Sequence, residues 1–216
     1  MDHFALWFGL AAAAVVVPLV GFFLRAGMRG GIWLEALKYA AQKYELKFSD
    51  PGRGRSWPIT AYAGGGYQHR GIEIGTDMDI KGRTDWKPAS VMEIKVSGHF
   101  DRSLTIVKRG HLRTWMDPDV IDYSKRTSSP RETPSGDKAF DERVEMYHAS
   151  EALRGALKDG GLSNVIAQLV DDGLRVEKQR LVLRTRRFPK RREDIAARVD
   201  RMLELCDELE KLQEEK

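Results

Sequence analysis

Residues 4–24 read FALWFGLAAAAVVVPLVGFFL, a run without a charge or a strong polar group. At about 1.5 Å of rise per residue, a helix of that length covers the roughly 30 Å hydrocarbon core of a bilayer. Pro18 is compatible with this, because neighbouring groups satisfy the backbone that a proline frees inside a membrane helix. A cleaved signal peptide is the competing reading. It requires a basic leader, a shorter apolar run and small neutral residues at the cut. Here the leader is only Met1-Asp2-His3, and Arg25 follows the apolar run directly. The run is therefore expected to stay in place as a single membrane anchor.

The flanks set the expected orientation. Asp2 precedes the run, and Arg25, Arg29, Lys38 and Lys43 follow it. Basic residues favour the cytoplasmic side, so the N-terminus is expected outside and the rest of the chain inside, at the inner (cytoplasmic) membrane. Cys206 is the single cysteine, which excludes an intramolecular disulfide and suits a reducing compartment. It reads as a small buried apolar residue of a helix rather than a nucleophile. The chain of 216 residues then divides into a short flank (1–3), the span (4–24), a basic glycine-rich linker (25–31) and one domain (32–216).

Within the domain, Trp33, Ala36, Leu37, Ala40 and Tyr44 recur at helical spacing, which predicts a helix from Gly31 to Leu46. The proline and glycines of SDPGRGRSWP end it. Strand signals follow. Ile72, Ile74, Met78 and Ile80 alternate with Glu73, Gly75, Asp77 and Asp79, while Met92, Ile94 and Val96 alternate with Glu93 and Lys95. SLTIVKRG adds a further strand. Residues 110–138, rich in Ser, Thr, Pro and charge, predict a long mobile loop. Beyond it, Phe140, Val144 and Met146 fall on one face of an expected strand. Ser150 is an expected helix N-cap, Gly160-Gly161 a stop, and LSNVIAQLVDDG a second short helix. LRVEKQRLVLRTRRF reads as a hairpin. A long final helix places Ile195, Val199, Met202, Cys206 and Leu209 on one face, with Glu193 and Asp194 at its positive end. Asp194–Arg198 and Asp207–Lys211 are expected pairs on it. The fold class is α+β: a mixed, mainly antiparallel sheet with helices on one face and a long C-terminal helix.

Most chemical motifs fail on their own terms. Gly64–Gly66 lack the Gly-Lys-Ser/Thr ending and following helix of a phosphate loop, so they read as a flexible hairpin turn. A calcium loop beginning at Asp77 has Lys81 and Pro88 where it requires oxygen ligands. Asp77 and Asp79 share a solvated strand face instead. His3, His69, His99, His111 and His148 show no metal-site spacing, no serine sits in GxSxG, and no metal or cofactor is expected.

The strongest electrostatic feature runs from Arg175 to Arg192, with nine basic residues against Glu177 alone. Three readings stay open. Arg180, Arg184 and Arg186 could pair across strands with acids such as Glu73, Asp77 and Asp79. With Arg191 and Arg192, they could attract anionic lipid headgroups, at about 1 kcal/mol for each cation near the surface. Nucleic acid is disfavoured, because no aromatic residues interleave with the arginines.

Gly136, Asp137, Phe140, Asp141 and Val144 form a GDxxFDxxV segment. Leu153 and Leu157 follow in a helix, and Gly173, Leu174 and Val176 in a strand. This arrangement resembles uncharacterised bacterial membrane-anchored proteins of unknown function, over the C-terminal half and the single anchor. The resemblance implies no activity. The residues themselves read as structural, with Gly136-Asp137 as a turn and Phe140 docking a strand into the core. The functional expectation is a membrane-anchored cytoplasmic binding or scaffold module with an unidentified protein partner, held to the bilayer through residues 4–24. The alternative is a membrane-tethered enzyme using His69, His111 and Asp137 around the 64–69 turn and the 110–138 loop.

Overall fold

The computed structural model describes residues 31–49, 61–76, 91–110 and 132–214. The expected span 4–24, the linker up to residue 30, Asp77, Asp79 and His111 lie outside these residues. Among the described residues, no helix is long and apolar enough to cross a membrane.

Helix α1 occupies residues 31–43 and buries Trp33, Ala36, Leu37 and Ala40, with Tyr44 just beyond. It stops short of the expected Leu46 for a local reason. Glu45 takes a left-handed conformation at φ 55°, and the Leu46 N–H donates back to the Ala41 carbonyl at 2.8 Å. That six-to-one bond closes the helix and releases the chain into β1 (Lys47–Ser49), a strand the sequence pattern did not reveal.

The glycine triplet is not a turn. It lies inside β2 (Tyr62–Tyr67), with Gly64, Gly65 and Gly66 paired to Glu73, Ile72 and Gly71 of β3 (Arg70–Thr76). The turn is Gln68-His69, at φ 47° and 66°. Positive φ at both central residues of a two-residue loop matches the twist of the flanking strands. β4 (Met92–Ser97) and β5 (Thr105–Lys108) follow as expected.

The segment around Phe140 departs from its expected form. Asp137 caps a short helix, α2 (Lys138–Asp141), and Phe140 is its buried residue. The strand, β6, begins only at Val144 and ends at Tyr147. The cap explains the shift: the Asp137 carboxylate accepts from the Ala139 and Phe140 N–H groups, so the local hydrogen bonds are helical. The last part of the expected mobile loop is also ordered. The Thr133 N–H donates to the Met146 carbonyl at 2.8 Å, and Glu132 bridges to Tyr147 on the open side of β6.

α3 (Glu151–Lys158) carries its expected Ser150 cap, and α4 (Gly161–Asp171) follows. β7 (Leu174–Glu177) and β8 (Arg180–Thr185) form the hairpin. Gly173 before it is backed tightly against β8. At φ 104°, a Cβ there would lie 2.0 Å from the Arg184 carbonyl oxygen, so only glycine fits. The final helix, α5, spans Asp194–Glu214 and buries Ile195, Val199, Met202, Cys206 and Leu209.

The eight strands of the described residues join one antiparallel sheet in the order β1-β2-β3-β4-β8-β7-β5-β6. The fold is therefore α+β. One sheet face carries Ile72, Ile74, Ile94, Val96, Leu181 and Leu183 into a single core shared with α1, α3, α4 and α5. The other face carries Glu73, Lys95, Glu93, Arg184, Arg175 and Glu177.

The helices give the domain a direction. Trp33 meets Phe188 edge-on with ring centroids 5.7 Å apart, and the Arg192 guanidinium stacks 5.6 Å from the Tyr39 ring. Further along, the Tyr44 hydroxyl donates to the Ala196 carbonyl and to Asp200, and Lys43 pairs with Asp200. α1 and α5 thus run the same way. The start of α1, the end of β8 and the start of α5 share one pole. The Gln68-His69 and Lys178-Gln179 turns and the C-terminal part of α5 share the other.

Candidate functional site

The GDxxFDxxV segment folds around its own main chain. Asp141 accepts from the Ser135 N–H at 2.9 Å, the Ser135 hydroxyl at 2.7 Å and the Gly136 N–H at 3.3 Å. Gly136 turns at φ 90°, a conformation that favours glycine. Arg109 donates from Nε to the Asp141 carbonyl and pairs with Glu132 and Glu145. Phe140, Val144 and Met146 are buried beneath. An open depression of about 480 Å³, lined by Arg109, Gly136, Lys138, Asp141 and Glu142, lies over this network. Asp141 and the neighbouring Ser135 are committed to turn bonds, and no histidine or cysteine lines it. The geometry gives a rigid turn rather than a nucleophile with a base.

The enzyme alternative needs His69 and Asp137 in one place. His69 sits on the β2–β3 turn, and Asp137 just ahead of β6, at the other end of the sheet. β3 and β6 are separated by four strands, which puts them about 24 Å apart at the usual strand spacing. The described residues therefore do not bring these two together. Among them, no group of three His, Cys, Asp or Glu side chains could hold a metal ion.

The basic run divides into three parts. Arg184 lies across from Glu93, its Nε 3.0 Å from one carboxylate oxygen, while Lys95 approaches the other oxygen at 3.2 Å. Glu93 was expected on a wet face, yet only 7% of its side chain is exposed. Its two cations make that burial tolerable. Lys95 extends the ladder to Glu73, and Arg175 pairs with Glu177. Arg180 is exposed at the distal end of β8, opposite Ser97 and Glu177. Arg186, Arg187, Lys190, Arg191 and Arg192 lie past β8 at the proximal pole, and all five are exposed. Arg187 pairs with Asp172 and Arg192 with Glu193. Asp194 accepts from the Lys190 and Arg191 main-chain N–H groups; the Lys190 bond is the main influence holding its carboxyl below the usual range. The expected set Arg180, Arg184 and Arg186 is thus split between a distal end, an internal pair and the proximal pole.

Sequence reasoning missed a clamp at the distal pole. Arg70 is 8% exposed, and its guanidinium pairs with Glu210 and with Asp207 at 2.7 Å. Glu210 also accepts the His99 N–H at 2.7 Å. Burial pushes the Glu210 carboxyl up, but the Arg70 and His99 bonds outweigh it, leaving the group below its ordinary value. The signal was strand parity: Arg70 is in step with Ile72 and Ile74, so it had to point into the buried face. The expected α5 pairs Asp194–Arg198 and Asp207–Lys211 act on each other through charge, but their side-chain bonds go elsewhere. Asp207 meets Arg70, Lys211 meets Glu208, and Arg198 donates to the Arg187 carbonyl. Cys206 is fully buried beside this clamp, and burial pushes its thiol up to about 12, which leaves it unreactive as a nucleophile.

No family model and no curated protein matches the chain. Among solved structures, the chain is similar to the crystal structure of the mycobacterial trehalose monomycolate transport factor A, TtfA. Identity is 13% and the TM-score 0.43, over 84% of this chain and 94% of that one. That likeness is too loose to transfer either a fold or a role.

Proposed function

We propose that the chain is a single-pass membrane-anchored module that binds a protein partner through the charged face of its sheet, on the cytoplasmic side. The observation that carries this reading is the one-sided construction of the sheet. The helices gather on its apolar face. The opposite face presents Glu73, Lys95, Arg175, Glu177 and Arg180 in fixed cross-strand register. Ordered charges of both signs give partner selection more readily than raw affinity. The apolar run 4–24 and its basic flank support the anchor.

Two measurements test this. The full chain carrying Lys178→Cys on the exposed β7–β8 turn should resist an impermeant thiol reagent in intact cells and react after lysis; Cys206 is buried and contributes no background. Labelling before lysis overturns the cytoplasmic placement. Affinity isolation from detergent-solubilised membranes should then recover a protein with the native chain that Lys95→Glu fails to retain. Equal recovery by both removes the sheet face from the reading.

A further inference from the structure

The basic residues that follow β8 stand where the chain from the anchor enters the domain. Residue 31 opens α1, and only residues 25–30 separate it from the apolar run. Trp33, one turn into α1, packs on Phe188, and Arg192 lies over Tyr39. The segment 186–192 contains Arg186, Arg187, Lys190, Arg191 and Arg192 and no acid. Two of the five cations are neutralised, by Asp172 and Glu193. Among the described residues Arg186 and Lys190 have no acidic partner, and Arg191 meets Asp194 only as a nearby charge, without an ion pair.

From this placement we propose that Arg186, Lys190 and Arg191 form a lipid-facing pole that docks the domain onto the anionic leaflet holding its own anchor. The inference rests on the anchored reading above and adds an orientation to it. The distal pole, with Arg70, His99 and the two hairpin turns, faces away from the membrane, and the charged sheet face stands upright beside it. Arg180 takes no part, since six residues of extended chain place it about 20 Å from Arg186. Arg184 takes no part either, because it is paired with Glu93. The short tether keeps the pole continuously near headgroups, so individually weak attractions act together. They act over a screening length of about 10 Å at 0.1 M salt, which shortens to about 3 Å at 1 M.

The test uses the full chain in nanodiscs of phosphatidylcholine alone or mixed with phosphatidylglycerol. An environment-sensitive fluorophore is attached at Arg187→Cys or, as a distal control, at Lys178→Cys, and lipids carrying a quencher near the headgroup report contact. The proximal label should be quenched in anionic discs, released by 1 M salt (a concentration set by the roughly 3 Å screening length) and unquenched in neutral ones. The distal label should stay bright in both. Replacing Arg186, Lys190 and Arg191 with Gln should lower the docked-to-undocked ratio on the order of 100-fold, from about 1 kcal/mol per cation. A chain that inserts, yet shows equal quenching of both labels or no dependence on anionic lipid, overturns the pole while leaving the anchor. A chain that fails to insert overturns the anchor and the pole with it.

Discussion

Between Ser135 and Val144 the serine and both aspartates are taken up by bonds within the segment, whereas between Arg186 and Arg192 two cations, Arg186 and Lys190, have no acidic partner among the described residues and Arg191 meets Asp194 only as a nearby charge. The first segment looks richer in chemistry: a serine, two aspartates and a glycine turn above an open depression. Yet Asp141 already accepts three hydrogen bonds, and Asp137 caps α2. The second segment has no motif and only a repeated charge. What separates them is saturation. A polar group whose bonds are complete fixes structure, and one with bonds to spare is available to another molecule. Residue type alone points the wrong way in both cases.

The largest expected effect breaks the comparison if it fails. Phe140 is 3% exposed beneath the saturated turn. Phe140→Ala should destabilise the domain by about 3–5 kcal/mol, the usual cost of emptying a buried aromatic site. Thermal unfolding of the full chain in detergent reads it. A negligible shift would mean that the segment is not anchored from below, and that its polar groups are free to serve a ligand.

Next comes the distal clamp, where a cation is saturated rather than surplus. Arg70→Met should cost about 2–3 kcal/mol, less than a fully buried pair because Glu210 and Asp207 keep some solvent contact. Its pH dependence has a definite sign. Glu210 sits below its unfolded value of about 4.3, so its contribution is complete above that pH and is lost as pH falls through the lower folded value. Without Arg70, burial becomes the main remaining influence and raises the Glu210 pKa. The penalty of the variant should therefore be greatest near neutrality and shrink as pH falls toward about 4. A pH-independent penalty would assign the loss to packing alone. Asp141→Asn should follow at about 1–2 kcal/mol, since the amide keeps acceptor capacity on one side only, against Ser135 and Gly136.

The parts of the fold legible in the sequence are those where one periodicity acts alone. The buried faces of α1 and α5, Ile72 and Ile74 of β3, the inward residues of β4, the Ser150 cap and the β7–β8 hairpin stand at their expected places, while Met78 and Ile80 lie outside the described residues. The illegible parts are those where a local bond overrides the pattern. Glu45 closes α1 three residues early and frees β1; Gln68-His69 turns the chain without an Asn-Gly signal; and the Asp137 cap bends into a helix what alternation presented as a strand. The site was harder for a related reason. Arg180, Arg184 and Arg186 share parity in an extended chain, but parity does not reveal which end of the strand is anchored or which arginine meets Glu93. Arg70 was visible only by taking strand parity literally for a charged residue.

The smallest effect on stability belongs to the surplus cations, and its smallness is the point. Arg186, Lys190 and Arg191 are exposed, and none forms an ion pair among the described residues, although Arg191 lies near the Asp194 charge. Changing each to Gln should shift stability by no more than about 0.5 kcal/mol, as for other surface positions away from caps and pairs. The sign of the shift should be slightly stabilising at low salt for Arg186 and Lys190, because the change relieves repulsion with Arg187 and Arg192 around the same pole. Added salt should remove even that difference, since it screens the repulsion in the native chain. Arg184→Gln is the matched control on β8: it leaves Glu93, whose side chain is 7% exposed, with Lys95 as its one remaining cation among the described residues, and should cost more than the three changes combined. If the triple variant instead melted as early as Arg184→Gln, the proximal cations would be structural after all, and the two segments would differ in composition rather than in saturation.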